Sequence, residues 1–247
     1  GSEVRVQSFS IRGGEGLFKA RGTLAHGAGQ RAALEWQAEK LVVMARPDRR
    51  LVATGRGNAA LEGGKVTLSG ELRADEGVIE LRPTTLPAPG GDVVIVGRER
   101  QAKGATRLAQ AALDLALDFG ERFRIRGRGL DSLLAGKIRL QTGAAGNLVA
   151  KGTVRAVRGT YTAFGQKLAL ERGSLIFAGP VDNPTLDIRA MRKISAVEAG
   201  VEVVGTLNAP FVRVVSEPPM PENEAQSWLL LPHGPSLASG SDLSMLP

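Results

Sequence analysis

The sequence predicts an all-β chain in which many short strands follow one another as an antiparallel meander. Three observations carry this. Apolar side chains recur at every second position in run after run, the spacing that puts them on one face of a strand. Gly, Pro and Asn fall between the runs, with 32 Gly and 13 Pro in 247 residues and no collagen period. Stretches with helical spacing are scarce. The arrangement is plainest from Arg158 to Ala190. Leu168 and Leu170, Leu175 and Phe177, and Leu186 and Ile188 form three alternating pairs, separated by the turn dipeptides Arg172-Gly173, Gly179-Pro180 and Asn183-Pro184.

The remaining elements are looser copies. Val4, Val6, Phe9 and Ile11 open the first strand, and Leu17 to Ala25 the second. Ala33 to Val43, with Leu34 and Trp36, is the third. Arg49 to Leu61 and Lys65 to Ala74 make a hairpin through Glu62-Gly63-Gly64, and Gly77 to Leu81 is a further strand. Leu86 to Asp92 is a Pro- and Gly-rich loop, followed by a compact apolar run, Val93 to Val96, and a charged stretch to Gly104. Ala111 to Phe119 is Ala-rich, but Leu113, Leu115, Leu117 and Phe119 alternate strictly against Asp114 and Asp118, so a strand is expected rather than a helix.

Phe123 to Gly127, with Ile125, continues the pattern, as do Gly136 to Gln141 and Asn147 to Arg155. Arg192 to Gly200 reads as a loop or one helical turn. Val201 to Leu207 and Phe211 to Ser216 are strands joined through Asn208-Ala209-Pro210. Pro218, Pro219 and Pro221 then end the sheet. Asn223 to Leu231 reads as a short helix capped by Asn223, with Ala225, Trp228 and either Leu229 or Leu231 on one side. The Gly-, Ser- and Pro-rich tail from Pro232 is expected to be mobile.

About fifteen or sixteen strands follow from this reading, and sixteen spaced at 4.8 Å would spread over roughly 75 Å. A flat open sheet of that width is unusual. The residues leave two solutions open: a sandwich that buries the apolar face, or a curled trough that keeps it accessible to a ligand.

Charge and composition exclude several functions. The net charge of +7 is spread along the chain and aromatics make up 4%, so nucleic-acid binding, which concentrates charge and adds stacking rings, is not expected. With no cysteine there is no thiolate nucleophile, disulfide or zinc–thiolate site. His26 and His233 are far apart and read as surface loop residues. Asp114 and Asp118 lie about 13 Å apart along a strand, beyond the 5–9.5 Å or so of a glycosidase pair. Ser174, Ser195 and Ser216 have no neighbouring His, and Gly13-Gly14-Glu15-Gly16 is a turn rather than a phosphate cradle. Glu171, Asp182 and Asp187 read as turn or surface groups, and Arg189 and Arg192 as either phosphate contacts or a solvated rim. Tyr161, Phe164 and Phe177 are expected to cluster between neighbouring strands. No catalytic residue, metal site or cofactor is expected. The opening Gly-Ser reads as a cleavage scar of a fragment.

The motifs R-G-T-Y-T-A-F-G-Q-K-L (Arg158 to Leu168), G-S-L-I-F-A-G-P-V-D-N-P-T-L-D-I-R-A (Gly173 to Ala190), V-E-V-V-G-T-L (Val201 to Leu207) and S-E-P-P-M-P-E-N-E-A (Ser216 to Ala225) closely resemble, in order and spacing, the C-terminal domain of the TamB family. Phe123 to Leu140 is similar to a module that recurs there and in AsmA-like proteins. The chain departs from the family's usual ending at Leu229-Leu230-Leu231-Pro232-His233-Gly234.

The resemblance implies a long, curled, antiparallel-rich open sheet, a taco-like β-groove with an apolar interior, open along one side, with a short C-terminal helix. It implies a periplasmic position in a Gram-negative bacterium and an inner-membrane helix outside this fragment. Implied partners are a BamA-superfamily outer-membrane protein, TamA, and cargo that is either phospholipid acyl chains or nascent outer-membrane β-strands. On this basis the expected parts are an N-terminal half of the groove (1–85), a loop or seam (86–104), a C-terminal half (105–216) and a Pro-rich segment with helix and tail (217–247). The expected groove-lining residues are Leu113, Leu115, Leu117, Phe119, Phe123, Ile125, Leu168, Leu170, Leu175, Phe177, Leu186, Ile188, Val201 and Val203. Gly159, Tyr161, Phe164, Gly165, Gly179, Pro180, Asn183, Pro184, Gly205 and Pro210 are the expected structural residues of the motifs.

Overall fold

A computed structural model describes residues 2–26, 31–81, 111–163, 165–194 and 196–230. The Leu86 to Gly104 seam, Phe164, Ser195 and the tail beyond Leu230 lie outside them. The strands are β1 (Ser2–Gly13), β2 (Gly16–His26), β3 (Arg31–Arg46), β4 (Arg49–Glu62), β5 (Lys65–Glu80), β6 (Ala111–Asp118), β7 (Phe123–Gly127), β8 (Leu130–Thr142), β9 (Leu148–Ala163), β10 (Gln166–Pro180), β11 (Thr185–Ile194), β12 (Val197–Thr206) and β13 (Ala209–Glu217), followed by helix α1 (Glu222–Leu230). All thirteen belong to one open sheet, ordered as in the sequence except that β7 pairs with β5 and β8 beside the end of β6.

Several strands are longer than the sequence reading expected, which is why there are fewer of them. Arg172-Gly173 is not a turn. It sits in the middle of β10, where the register with β11 shifts between Leu170 and Arg172. Gly77 to Leu81 is likewise not a separate strand but the far end of β5. Arg192 to Gly200 is neither helix nor loop, because β11 runs to Ile194 and β12 restarts at Val197. In each case a bulge or a tight link stands where composition reads as a break.

The pairing of β5 departs from the meander. It is parallel to both β6 and β7. Parallel neighbours need a crossover rather than a hairpin, and the residues between Glu80 and Ala111 leave room for one. The Glu62-to-Lys65 link is a two-residue hairpin, with Gly63 at φ 56° and Gly64 at φ 82°, values that glycine adopts without a Cβ penalty.

The irregularities line up from strand to strand. The register shifts between Ala38 and Leu41 of β3, at Asp75 of β5 opposite Val52 and Ala53, at Val157 of β9 opposite Leu133 and Leu134, and between Leu170 and Arg172 of β10. Between β4 and β8, the gap from Asp118 to Phe123 breaks what would be one strand into β6 and β7. A bulge bends its strand. Bulges at adjoining positions in consecutive strands bend the whole sheet along one crease.

The core shows the result. Buried Ala74, Phe123, Leu134, Ile138 and Val154 pack with Leu51, Ile79 and Ile125 from one side of the crease and Leu117, Leu175 and Phe177 from the other. The two arms therefore face each other as a groove. At the corner, the rings of Phe119 and Phe123 meet edge to face, 4.9 Å between centroids at 72°.

α1 lies on the same face at the β13 end. It starts at Glu222, one residue before the expected cap. The Pro221 carbonyl accepts the N–H of Glu224 and of Ala225 (both 3.0 Å), so Pro221 rather than Asn223 occupies the capping position. Ala225 and Leu229, four apart and so on one side of the helix, are each 1% exposed, and Leu229 packs with Leu168, Ala190, Ala199 and Val201.

Candidate functional site: an apolar groove with an ion-paired back

The apolar face can be followed strand by strand, because residues directly opposite in a sheet point the same way. Leu113, Leu115 and Leu117 stand opposite Leu68, Gly70 and Leu72 of β5, and Leu115 and Leu117 also oppose Leu140 and Ile138 of β8. Phe123 and Ile125 oppose Gly77 and Ile79. Leu175 links Val154 to Leu186, and Phe177 lies opposite Gly152. Leu168 opposes Tyr161, Leu170 opposes Ala190, Ala190 opposes Val201, and Ile188 opposes Val203. Thirteen of the expected lining residues thus share one face. Phe119 lies just beyond β6 at the corner, held by its N–H donating to the Gly136 carbonyl at 2.9 Å.

Leu115, Phe123, Leu168, Leu186 and Val201 are buried, and the rest of the expected lining is half-buried. Leu168, Leu170 and Val201 are covered by α1 rather than open. Toward the other end nothing in the described structure covers the face. Val4 is 56% exposed, Phe9 50% and Leu24 41%.

The sequence reading did not extend the lining into β1–β5, although the same alternation marks it. Val4, Val6, Phe9 and Ile11 pair with Leu24, Gly22, Ala20 and Phe18, and these with Ala32, Leu34, Trp36 and Ala38. Trp36 was the largest omission. Its ring lies over a floor of two glycines: a Cβ added to Gly57 or Gly70 would stand 2.6 or 2.8 Å from its Cζ2. The Trp36 Nε1–H is buried without a hydrogen-bond partner.

The opposite face is wet and ion-paired. Arg139 donates to both Asp114 oxygens at 2.6 Å, Arg124 to both Asp131 oxygens at 2.7 and 2.6 Å, and Arg56 to Glu71 at 2.8 Å. The hydrogen bonds from Arg139 and Arg124 hold the Asp114 and Asp131 carboxyls below the usual carboxylate range. Asp118 is also held low, chiefly by accepting the Gly120 N–H at 2.9 Å.

Glu202 is 5% exposed although it lies on this face. It accepts from Arg172 Nη2 at 2.9 Å and from Arg213 Nε at 2.6 Å, and Arg172 also reaches Asp187 at 2.8 Å. Arg189 is held by Glu171 and Glu217. Across β2–β8 this face has a hollow of about 770 Å³ lined by Arg21, Glu35, Arg56, Glu71, Asp114 and Arg139. A twisted sheet is saddle-shaped, so a hollow on one face does not preclude a groove on the other.

The motif residues fall into distinct roles. Gly165, at φ 72°, makes the β9–β10 turn, and Gly205 has φ 96° opposite Pro210. Gly159 permits close approach, since a Cβ there would meet Ser132 Cβ at 2.6 Å. The Pro180 carbonyl accepts the Asn183 N–H at 3.2 Å. Asn183 Oδ1 accepts the Asn208 N–H at 3.0 Å, and the Pro184 carbonyl accepts the Leu207 N–H at 3.0 Å. These bonds tie the β10–β11 turn to the β12–β13 turn. A Cβ added at Gly179 would meet nothing within 4 Å. The expected aromatic cluster does not form among the described residues. Tyr161 packs with the cluster under α1, whereas Phe177 packs in the cluster at the crease.

Among the described residues no group of three or more His, Asp or Glu is placed to hold a metal. The described residues thus form one open, creased β-sheet with an apolar face and an ion-paired face. The family model of the TamB C-terminal domain matches residues 7–246, and the chain belongs to the TamB family. It is also similar to "Translocation and assembly module subunit TamB" of Haemophilus influenzae, 32% identical over 154 residues, which are 60% of this chain. The match covers 12% of that relative's length.

Proposed function

We propose that this chain is the periplasmic β-groove segment of an envelope-spanning translocation and assembly protein, and that its apolar face carries or shields amphipathic cargo between the inner and outer membranes. The cargo is phospholipid, through its acyl chains, or outer-membrane protein, through its unpaired β-strands. The anchor is an inner-membrane helix elsewhere in the parent protein. Among the described residues no helix is long and apolar enough to cross a membrane. The observation that supports this reading is one apolar face continuing across β1–β13, with Val4, Phe9, Ile11, Leu24, Val66 and Leu148 of that face left 37–56% exposed.

Photo-crosslinking residues placed at Leu24, Val66 and Leu148 of the parent protein in cells test it. Crosslinks to phospholipid or to outer-membrane proteins identify the cargo. Crosslinks to neither, with the same probe on the wet face equally unreactive, remove the cargo reading.

A second reading is supported by β13. Among the described residues it pairs only with β12, and its Phe211 and Val212 are 62% and 59% exposed on opposite faces. An unpaired edge of this kind accepts a strand from a partner, and a BamA-superfamily protein such as TamA would dock there. Loss of copurification of that partner on introducing Pro at Val212, with cargo crosslinking unchanged, separates docking from carriage.

A further inference from the structure

We propose that a hydrogen-bonded latch on the back of the crease, made by the Lys40 N–H, the Thr54 hydroxyl and the Asp75 carboxylate, sets the aperture of the groove at its β3–β5 end, and that releasing it lets the two arms splay and loosens the hold on an amphiphile. The last clause rests on the groove carrying amphiphiles. The latch itself does not.

The two ends of the crease are built differently. From β6 to β9 its inner side is filled by Phe123, Leu134, Ile138 and Val154, with the Phe119 ring set edge to face against Phe123. Side chains of that bulk wedge the arms at one angle. From β3 to β5 the inner side holds Ala38, Ala53 and Ala74, which are 2%, 2% and 8% exposed. Three methyl groups fit a range of angles, so another feature fixes the bend there.

The bulges are the source of the bend. Ala38 stands opposite Gly55 and Leu41 opposite Ala53, so Glu39 and Lys40 share Thr54 as their one opposite residue. In β5 the extra residue is Asp75, because Ala53 and Val52 face Ala74 and Glu76. Lys40 has φ 45°, a left-handed value that a residue other than glycine holds only where its surroundings compensate.

Thr54 compensates both bulges. It follows Ala53 in β4 and so points to the back of the sheet. Its Oγ1 accepts the Lys40 N–H at 3.0 Å, and its hydroxyl donates to Asp75 Oδ2 at 2.6 Å. The Asp75 carbonyl accepts the Arg122 Nε–H at 3.0 Å, and the Arg122 carbonyl accepts the Gly77 N–H at 3.0 Å. One hydroxyl thus joins the irregularities of β3 and β5, and Arg122 ties them to the break between β6 and β7. Without that hydroxyl, Lys40 returns to extended backbone, the bulges straighten and the arms flatten away from each other.

The protein has no cysteine, so paired spin labels report each end of the crease separately. Arg50→Cys with Lys65→Cys spans it at β4–β5, and Lys151→Cys with Lys167→Cys spans it at β9–β10. Thr54→Val keeps the shape of the side chain and removes the hydroxyl. It is expected to lengthen and broaden the distance between positions 50 and 65 and to leave that between 151 and 167 unmoved. Asp75→Ala should do the same, whereas Thr54→Ser should keep the parent distances. A lysophosphatidylcholine, titrated below its micelle concentration, is expected to bind Thr54→Val several-fold more weakly than the parent, and Thr54→Ser as the parent.

Unchanged distances in both Thr54→Val and Asp75→Ala, or a second label pair that moves as far as the first, overturn the latch, whatever the lipid does. A first pair that moves alone, with the lysolipid bound equally by Thr54→Val and the parent, overturns the latch's control of occupancy. A first pair that moves alone, with the lysolipid bound by neither form, removes the groove reading and leaves the latch standing.

Discussion

Gly77 and Phe123 face each other across the parallel β5–β7 pair, so closely that a Cβ on Gly77 would lie 2.5 Å from the Phe123 Cε2. The ring fills the corner of the groove only because its neighbour has no side chain. Gly77→Ala is expected to destabilise the protein by about 1–3 kcal/mol through overpacking, and Phe123→Ala by about 3–5 kcal/mol through loss of a buried ring. The double variant should lose less than the sum, since truncating the ring removes the clash. Urea unfolding of the four forms measures the coupling.

Two other glycines should respond oppositely. A Cβ on Gly57 would lie 2.6 Å from the Trp36 ring and 2.7 Å from the Gly70 Cα, whereas a Cβ on Gly179 meets nothing within 4 Å. Gly57→Ala is expected to cost about 1–3 kcal/mol and to alter Trp36 fluorescence. Gly179→Ala should stay within about 0.5 kcal/mol of the parent.

Glu202 gives the sheet an acid limit. Its pKa is lowered, first by the Arg213 hydrogen bond and then by the Arg213 and Arg172 charges, with burial opposing. A carboxyl whose folded pKa lies below its unfolded value stabilises the fold fully above the unfolded value. That contribution is lost as pH falls through the folded one. Glu202→Gln is therefore expected to cost about 1–2 kcal/mol at pH 7, kept low because both arginines retain water contact. The difference from the parent should shrink below about pH 4.5. Thermal melts from pH 7 to pH 3 compare the two.

Groove occupancy can be weakened without touching the core. Leu24 and Val66 are 41% and 44% exposed on the apolar face. Leu24→Glu and Val66→Glu are expected to leave the melting temperature nearly unchanged. Each should weaken amphiphile binding about 5–30-fold, the cost of roughly 1–2 kcal/mol for a charge beside an acyl chain. Isothermal titration with a lysophospholipid reads the difference.

Asn183→Ala removes the acceptor of the Asn208 N–H. A loss of about 0.5–1.5 kcal/mol is expected, with faster amide exchange at Asn208 and Leu207, where the two turns are tied.

The strand character of Leu113–Leu117 and of Leu168–Ile188 was legible because alternation is local and needs no partner to be seen. The crease was not. A bulge such as the one between Leu170 and Arg172 looks in sequence like a turn, since Arg172-Gly173 carries the same residue types, and only the register with β11 shows the strand continuing. The parallel pairing of β5 was hidden for a related reason, because strand direction depends on where the chain returns after a long excursion. Trp36 and its glycine floor were missed as lining because Gly57 and Gly70 add no apolar signal of their own. Glu202 is buried by two arginines from different strands, Arg172 in β10 and Arg213 in β13, and that long-range meeting leaves no trace in spacing.

The aligned bulges bear on how such a molecule grows. Strands β3, β4, β5, β8, β9 and β10 each cross the bend once, so the bore of the trough is set by arm length within a strand and not by how many strands there are. Inserting one more hairpin with its bulge in step would lengthen the conduit by about 10 Å at two strand spacings and leave its width alone. Reach and calibre are thereby separate traits, one changed by duplicating hairpins and the other by shifting where the bulge falls.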